Sequence, residues 1–393
     1  MLYRRSNANV CLRCDQLLLL KATVRASAVH ADEAHTSYKS VPHPLGTKPL
    51  PHSSYPELIQ PVYRRERARR YPQSPCEEEN VAVDERRAAA EATEVCALEG
   101  RANSYKALYA HWERTQWSTL ALDLSTDRAS FAALDHEDQA GMLWIFAHRF
   151  HAEFNVARLL APFLLAAPGY ELQLMLATQV ADEHRHLQAV LRIYEDVFGI
   201  EGGFEAVHEL ADRNMDPVAT ALYERLEHYV GRLSARSDEE EFLAAVVAYH
   251  LIGEGVIART AQNLAAGQYE RLAFPGLGRG QRLVARDEAR HIGIGVSYTR
   301  RRLEQEPQRS RVVISAVIDN FSELAGQLLA RANDGMESLV TAGYGVKPDV
   351  FYGEAMRLLQ LRLRSIGFLE ERGSIGEDAS ATDARRPQFK EKT

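Results

Sequence analysis

The pattern Asp-Glu-x-x-His occurs twice in this chain, as Asp182-Glu183-His184-Arg185-His186 and as Asp287-Glu288-Ala289-Arg290-His291. Both copies lie in segments with helical periodicity. Three residues are nearly one helical turn, so the Glu and the His of each copy project from almost the same face. A carboxylate beside an imidazole suits a divalent iron, manganese or zinc ion. One such pair is common on a surface helix. Two pairs on separate long helices, each preceded by Asp, restrict the chain to folds that bring those helices together.

The rest of the chain from about residue 100 fits such a fold. Helical periodicity is expected over 104–115, 136–166, 170–198, 215–233, 238–267, 277–305, 309–340 and 349–366. Pro168-Gly169, Gly202-Gly203, Pro217, Pro275-Gly276, Pro307 and the stretch Gly343 to Pro348 punctuate these segments. No alternating strand pattern stands out. Several segments are far longer than the usual three to four turns. The expected class is therefore all-α, a bundle of long antiparallel helices with additional helices.

Bundle di-metal sites also use single carboxylates from two further helices. Glu153 lies on the apolar stripe Phe146, Phe150, Ala157, Leu160, and Glu254 on the stripe Leu243, Val247, Leu251, Ala258. A carboxylate on a core-facing stripe must be paired or metal-bound, because an isolated buried charge is expensive. The plainer alternative is an ion pair with Arg149 or Arg290. Taken together, Glu153, Glu183, His186, Glu254, Glu288 and His291 are the candidate ligands of two transition-metal ions.

Composition constrains the partners. Residues 1–75 carry 12 Lys and Arg against five Asp and Glu, in a chain whose net charge is −7. The same segment holds eight of the 15 prolines. We expect residues 1–100 to be a basic, Pro-rich, largely disordered arm, 101–370 the helical domain, and 371–393 a disordered tail. The run Arg64 to Arg70 and the pair Cys11-x-x-Cys14 read as a solvated tail and a half motif without a second pair. All four cysteines precede residue 100, which suits a reducing, cytoplasmic setting. The acidic total argues against nucleic acid as partner, and no membrane span is expected.

The ligand order Glu153, Glu183-x-x-His186, Glu254, Glu288-x-x-His291 resembles the ferritin-like di-metal carboxylate proteins of the ribonucleotide reductase small-subunit superfamily. Trp117, 36 residues before Glu153, also matches. The resemblance implies a hydrogen-bonded chain Trp117–Asp287–His186 that fixes the His tautomer and carries an electron. It also implies a homodimer. The position of the reductase radical tyrosine is Val190, with Tyr194 one turn further on, and the tail around Phe389 has no Tyr. The third histidine of the arylamine N-oxygenases is replaced by Val284.

The ligand-binding oxidase branch is matched by Val156, three residues after Glu153, by Tyr249, five residues before Glu254, and by Pro162-Phe163. This likeness implies Mn/Fe metals, a Val–Tyr ether cross-link and a fatty-acid-like ligand; the same ligands also suit Fe/Fe. On a regular α-helix, five residues leave Tyr249 about 140° from Glu254. The reading therefore requires a π-bulge between them. Gly253 and Gly255, unfavourable in a helix interior, mark the same segment. His250 is expected near the ligands, and His184 on the surface.

The expected function is a di-iron or manganese/iron oxidase that activates O2 to oxidise an apolar or fatty-acid-like molecule, with an external electron donor. Two alternatives remain open from the sequence. One is a ribonucleotide reductase small subunit making a radical for a large subunit. The other is a non-enzymatic metal-binding or storage bundle.

Overall fold

The computed structural model describes residues 97–369 apart from 101, 216, 332–340 and 342. The expectations for residues 1–96 of the arm, the cysteines and the tail lie outside the described residues; residues 97–99, expected in the arm, are helical, and Glu99 is buried. The principal helices are α1 (Tyr105–Arg114), α2 (Ser125–Ala132), α3 (His136–Ala166), α4 (Tyr170–Asp196), α5 (Gly203–Arg213), α6 (Pro217–Val230), α7 (Glu239–Arg271), α8 (Pro275–Gln305), α9 (Pro307–Arg331) and α10 (Pro348–Ser365). No strand occurs among the described residues. The fold is all-α, as expected.

Local chemistry sets the helix ends. Asp135 caps α3, its side chain accepting from the Asp138 amide, with Glu137 and Asp138 in the first turn. Asp238 and Glu241 form a capping box at the start of α7. Pro275 opens α8, and the buried Asp127 of α2 accepts from the Gly276 and Leu277 amides at 2.9 and 2.8 Å. A Cβ on Gly276 would collide with the Asp123 carbonyl oxygen, so only glycine fits there.

Helices α3 and α4 are joined by residues 167–169 and pack along their length; α7 and α8 form the second pair. Two apolar clusters flank the middle of this four-helix arrangement. One contains Leu160, Phe163, Phe242, Ile292 and Ile314; the other contains Phe146, Phe150, Tyr194, Tyr269 and Phe274. Helix α7 is long and apolar enough, by length and composition, to cross a membrane, but 78% of its most apolar window is buried inside the bundle. Core placement accounts for that apolarity.

Helix α7 is not regular. Val247–Ala258 is a π-helix of 12 residues, with α-helical turns on both sides. The expected single bulge is thus a longer π segment. Bonding from i to i+5 stacks residues five apart, which brings Tyr249 and Glu254 towards one face. Arg362 of α10 donates from Nε to the Gly255 carbonyl at 3.0 Å and pairs with Glu99, which also pairs with Arg259. The close approach of α8 depends on Gly295, where a Cβ would run into the His250 Cβ.

Candidate metal centre

The four long helices deliver the six expected side chains to one buried place. Glu153 comes from α3, Glu183 and His186 from α4, Glu254 from the π segment of α7, and Glu288 and His291 from α8. All are at most 5% exposed. They divide into two overlapping groups, Glu153–Glu183–His186–Glu288 and Glu183–Glu254–Glu288–His291, whose ligand atoms lie within 4.8 Å of one another in each group.

Glu183 and Glu288 belong to both groups. His186 Nδ1 lies 3.3 Å from Glu183 Oε2 and 3.8 Å from Glu288 Oε1. His291 Nδ1 lies 3.0 Å from Glu183 Oε1 and 3.4 Å from Glu288 Oε2. Each of these carboxylates therefore turns one oxygen to each imidazole, as a bridging ligand would. Glu153 Oε2 is 3.5 Å from His186 Nδ1, and Glu254 Oε1 is 4.0 Å from His291 Nδ1. They stand at opposite ends, one per group.

The donor set fits two divalent ions. Both oxygens of Glu183, one each of Glu254 and Glu288, and Nδ1 of both histidines are buried without a hydrogen-bond partner. Such atoms are costly unless something coordinates them. Four carboxylates offset the charge of two divalent cations, and the mixture of oxygen and imidazole nitrogen suits iron and manganese. The ion-pair alternative survives only at the rim. Arg149 Nε is 3.7 Å from Glu153 Oε1, while Arg290 pairs with Asp182 instead.

The residues behind the ligands form a crossed pattern. His186 on α4 is supported by Asp287 on α8, and His291 on α8 by Asp182 on α4. The Nε2–Oδ2 distances are 3.1 and 3.2 Å. Trp117 Nε1 donates to Asp287 Oδ2 at 2.7 Å, so the structure brings the expected trio together. A second trio, Trp112–Asp182–His291, goes beyond the sequence expectation; Trp112 Nε1 donates to Asp182 Oδ1 at 3.0 Å. Its only signal in the sequence is the Asp before each Glu. Arg185 donates to both Asp182 and Asp287 and lies over the Trp117 ring at 5.1 Å.

Tyr249 is wholly buried, and its hydroxyl donates to the Val156 carbonyl at 3.2 Å. Burial, then the Glu254, Glu183 and Glu288 charges, push its phenol well above the ordinary range, so it remains protonated. Val156 is half-buried, and Phe163 meets the Tyr249 ring edge-on at 5.4 Å. His250 is buried, and burial followed by the nearby His291 lowers it to about 3. Neutral His250 meets Gln179 Oε1 at 3.0 Å, and Gln179 Nε2 donates to Glu254 Oε1 at 2.7 Å. His184 is exposed, as expected. Val190 and Val284 are buried apolar residues.

The electrostatics of the metal-free site follow from these contacts. Burial disfavours ionised Asp182 and Asp287, but the hydrogen bonds from His291 and His186, together with the histidine charges, Arg185 and, for Asp182, Arg290, outweigh it and hold both below the usual carboxylate range. Burial likewise opposes protonation of His186 and His291, yet Asp287 with Glu153, and Glu183 with Asp182, raise them well above the ordinary imidazole value. Burial raises Glu153, and burial with the Glu288 charge raises Glu254 further.

Metal uptake must therefore displace protons. Raised groups keep their protons as pH approaches neutrality from below, so the apparent affinity should weaken on acidification. The expected slope is about tenfold per pH unit for each proton displaced. Calorimetric titration with Mn²⁺ in buffers of different ionisation enthalpy would report the released protons. Affinity independent of both pH and buffer would contradict this picture.

No protein-family model matches the chain. Solved structures do. A point variant of an R2-like ligand-binding oxidase with aerobically reconstituted Mn/Fe cofactor matches at a TM-score of 0.59 and 23% identity, over 68% of this chain and 95% of that one. Another variant of an R2-like ligand-binding oxidase, with anaerobically reconstituted Mn/Fe cofactor, matches at 0.58 and 22%, over 68% and 94%. These likenesses establish a shared ferritin-like helical fold.

Proposed function

We propose that this chain, built on the fold of the R2-like ligand-binding oxidases, is an O2-dependent di-metal oxidoreductase acting on an apolar or fatty-acid-like molecule. The observation that carries the reading is the pair of overlapping carboxylate–imidazole groups with Tyr249 and Val156 beside Glu254 and Glu153. Two bound redox metals, Mn/Fe or Fe/Fe, would supply the electrons that reduce O2. The protein's own contribution is positional. Glu183 and Glu288 would hold both ions, Asp287 and Asp182 would fix the imidazole tautomers, and the apolar clusters would exclude water.

Tyr249 is the residue closest to a reaction of its own. Ether formation between Tyr249 Oη and Val156 Cβ would break one O–H and one C–H bond. Two electrons and two protons would pass to O2. Trp117 would deliver electrons through Asp287 and His186 from an external donor in later turnovers. The protein would act as a homodimer, as its resemblance implies.

Anaerobic loading with Mn²⁺ and Fe²⁺ followed by O2, watched by absorbance and EPR, tests the proposal. The wild-type chain should show an oxygen-dependent spectral change and an intact mass lower by two hydrogen atoms. Tyr249→Phe should keep the spectral change and lose the mass change. No oxygen-dependent spectrum in wild type would favour a storage bundle. The Trp117–Asp287–His186 chain also suits a ribonucleotide reductase subunit, and nucleotide reduction on adding a reductase large subunit would favour that reading.

A further inference from the structure

We infer that His151 of α3 with His208 and Asp212 of α5 forms a third metal site, for one divalent ion of the Zn²⁺ class, separate from the di-metal residues. Two residues along α3 are about 200° of rotation, so His151 faces away from Glu153. One ligand atom from each of the three side chains lies within 4.8 Å of the others. His151 Nε2 is 3.1 Å from Asp212 Oδ1, and His208 Nδ1 is 3.8 Å from Asp212 Oδ2. Bonds of about 2.0–2.1 Å in a tetrahedron put neighbouring ligand atoms about 3.3 Å apart. The His151 distance already fits; the His208 distance is to the other carboxylate oxygen, so a rotation of the exposed Asp212 and His208 side chains would bring one oxygen within reach of both imidazoles.

Burial points the same way. His151 is 7% exposed, and its Nε2 has no hydrogen-bond partner although it faces Asp212. A simple ion pair would leave that nitrogen poorly served. Asp212 is 55% and His208 38% exposed at the side chain, so an ion and a water can enter from solvent. Phe150, Phe154 and Phe204 surround the His208 ring, and Phe204 stacks on it at 5.6 Å and 14°. Those rings hold the imidazole in place and give the site an apolar wall.

The donor set separates the site from the di-metal centre. Two imidazoles and one carboxylate favour Zn²⁺ over Mn²⁺ and Fe²⁺ in the usual affinity order, whereas the inner site is dominated by carboxylates. The ion would also tie α5 to α3. Helix α5 has 11 residues and buries only Val207 and Ala211 fully. It is too short to be stable alone.

The test uses the full chain in a Glu183→Ala background, which disables the inner site, and the same chain with Glu183 intact. Zn²⁺ binding is read by equilibrium dialysis, and Co²⁺ binding by the visible band of a four-coordinate ion. The Glu183→Ala chain should bind one ion with a four-coordinate Co²⁺ band. Adding His208→Gln or Asp212→Asn should remove the band and weaken binding by more than about 100-fold, beyond the loss of a supporting partner. With Glu183 intact, the same two substitutions should lower the ion count by one. Failure of the di-metal reading would leave these outcomes unchanged. Equal binding with and without His208→Gln, or no four-coordinate Co²⁺ band in either background, would overturn the inference.

Discussion

Glu183→Ala is expected to lose both inner metal ions, whereas Glu153→Ala loses only one. Glu183 is common to both ligand groups and stands 3.0 and 3.3 Å from the two imidazoles. Glu153 belongs to one group alone. Manganese and iron analysis after dialysis, which leaves the proposed Zn²⁺-class site uncounted, should fall from about two ions per chain to near none for Glu183→Ala and to about one for Glu153→Ala. The oxygen-dependent absorbance should vanish in the first variant. Glu288→Ala should resemble Glu183→Ala, because its oxygens are divided in the same way. If Glu183→Ala retained both inner ions, Glu183 would not be the ligand the two groups share.

The second large effect concerns stability. Arg362 is fully buried and holds both Glu99 and the Gly255 carbonyl. Arg362→Met removes the charge and leaves the carbonyl without that donor. Breaking a buried ion pair costs about 3–5 kcal/mol, and the lower end applies because Glu99 keeps Arg259. With about 2–4 °C per kcal/mol in a domain of this size, Tm should fall by about 6–12 °C. Gly255 adjoins Glu254, so the metal spectrum should change as well. An unchanged Tm with an unchanged spectrum would show that Arg362 clamps nothing.

Much of the site was legible because strong periodicity and breakers mark the long helices. The segment 136–166 coincides with α3, and the two Asp-Glu-x-x-His copies fall well inside α4 and α8. Two of the short helices were not legible, although α1 was. Ser125–Ala132 offers no clear apolar stripe, and Gly203–Arg213 follows Gly202-Gly203, which reads as a break. The extent of the π segment was also hidden. Val247–Ala258 is apolar almost throughout, so its sequence fits any helical period; the Tyr249–Glu254 spacing and the flanking Gly253 and Gly255 marked a distortion but not its length. The Trp112–Asp182–His291 chain was unreadable for another reason. Which Asp supports which His depends on how α4 and α8 meet, and that is a tertiary fact.

The crossed support has a mechanical meaning. Asp182 reaches from α4 to α8 and Asp287 from α8 to α4, so the two links act like a pair of opposed pegs. Sliding one helix along the other by a single turn, about 5.4 Å, would tear both at once. Neither link can be released alone to let the other travel. The axial alignment of the two helices is thus locked by the residues that steady the imidazoles.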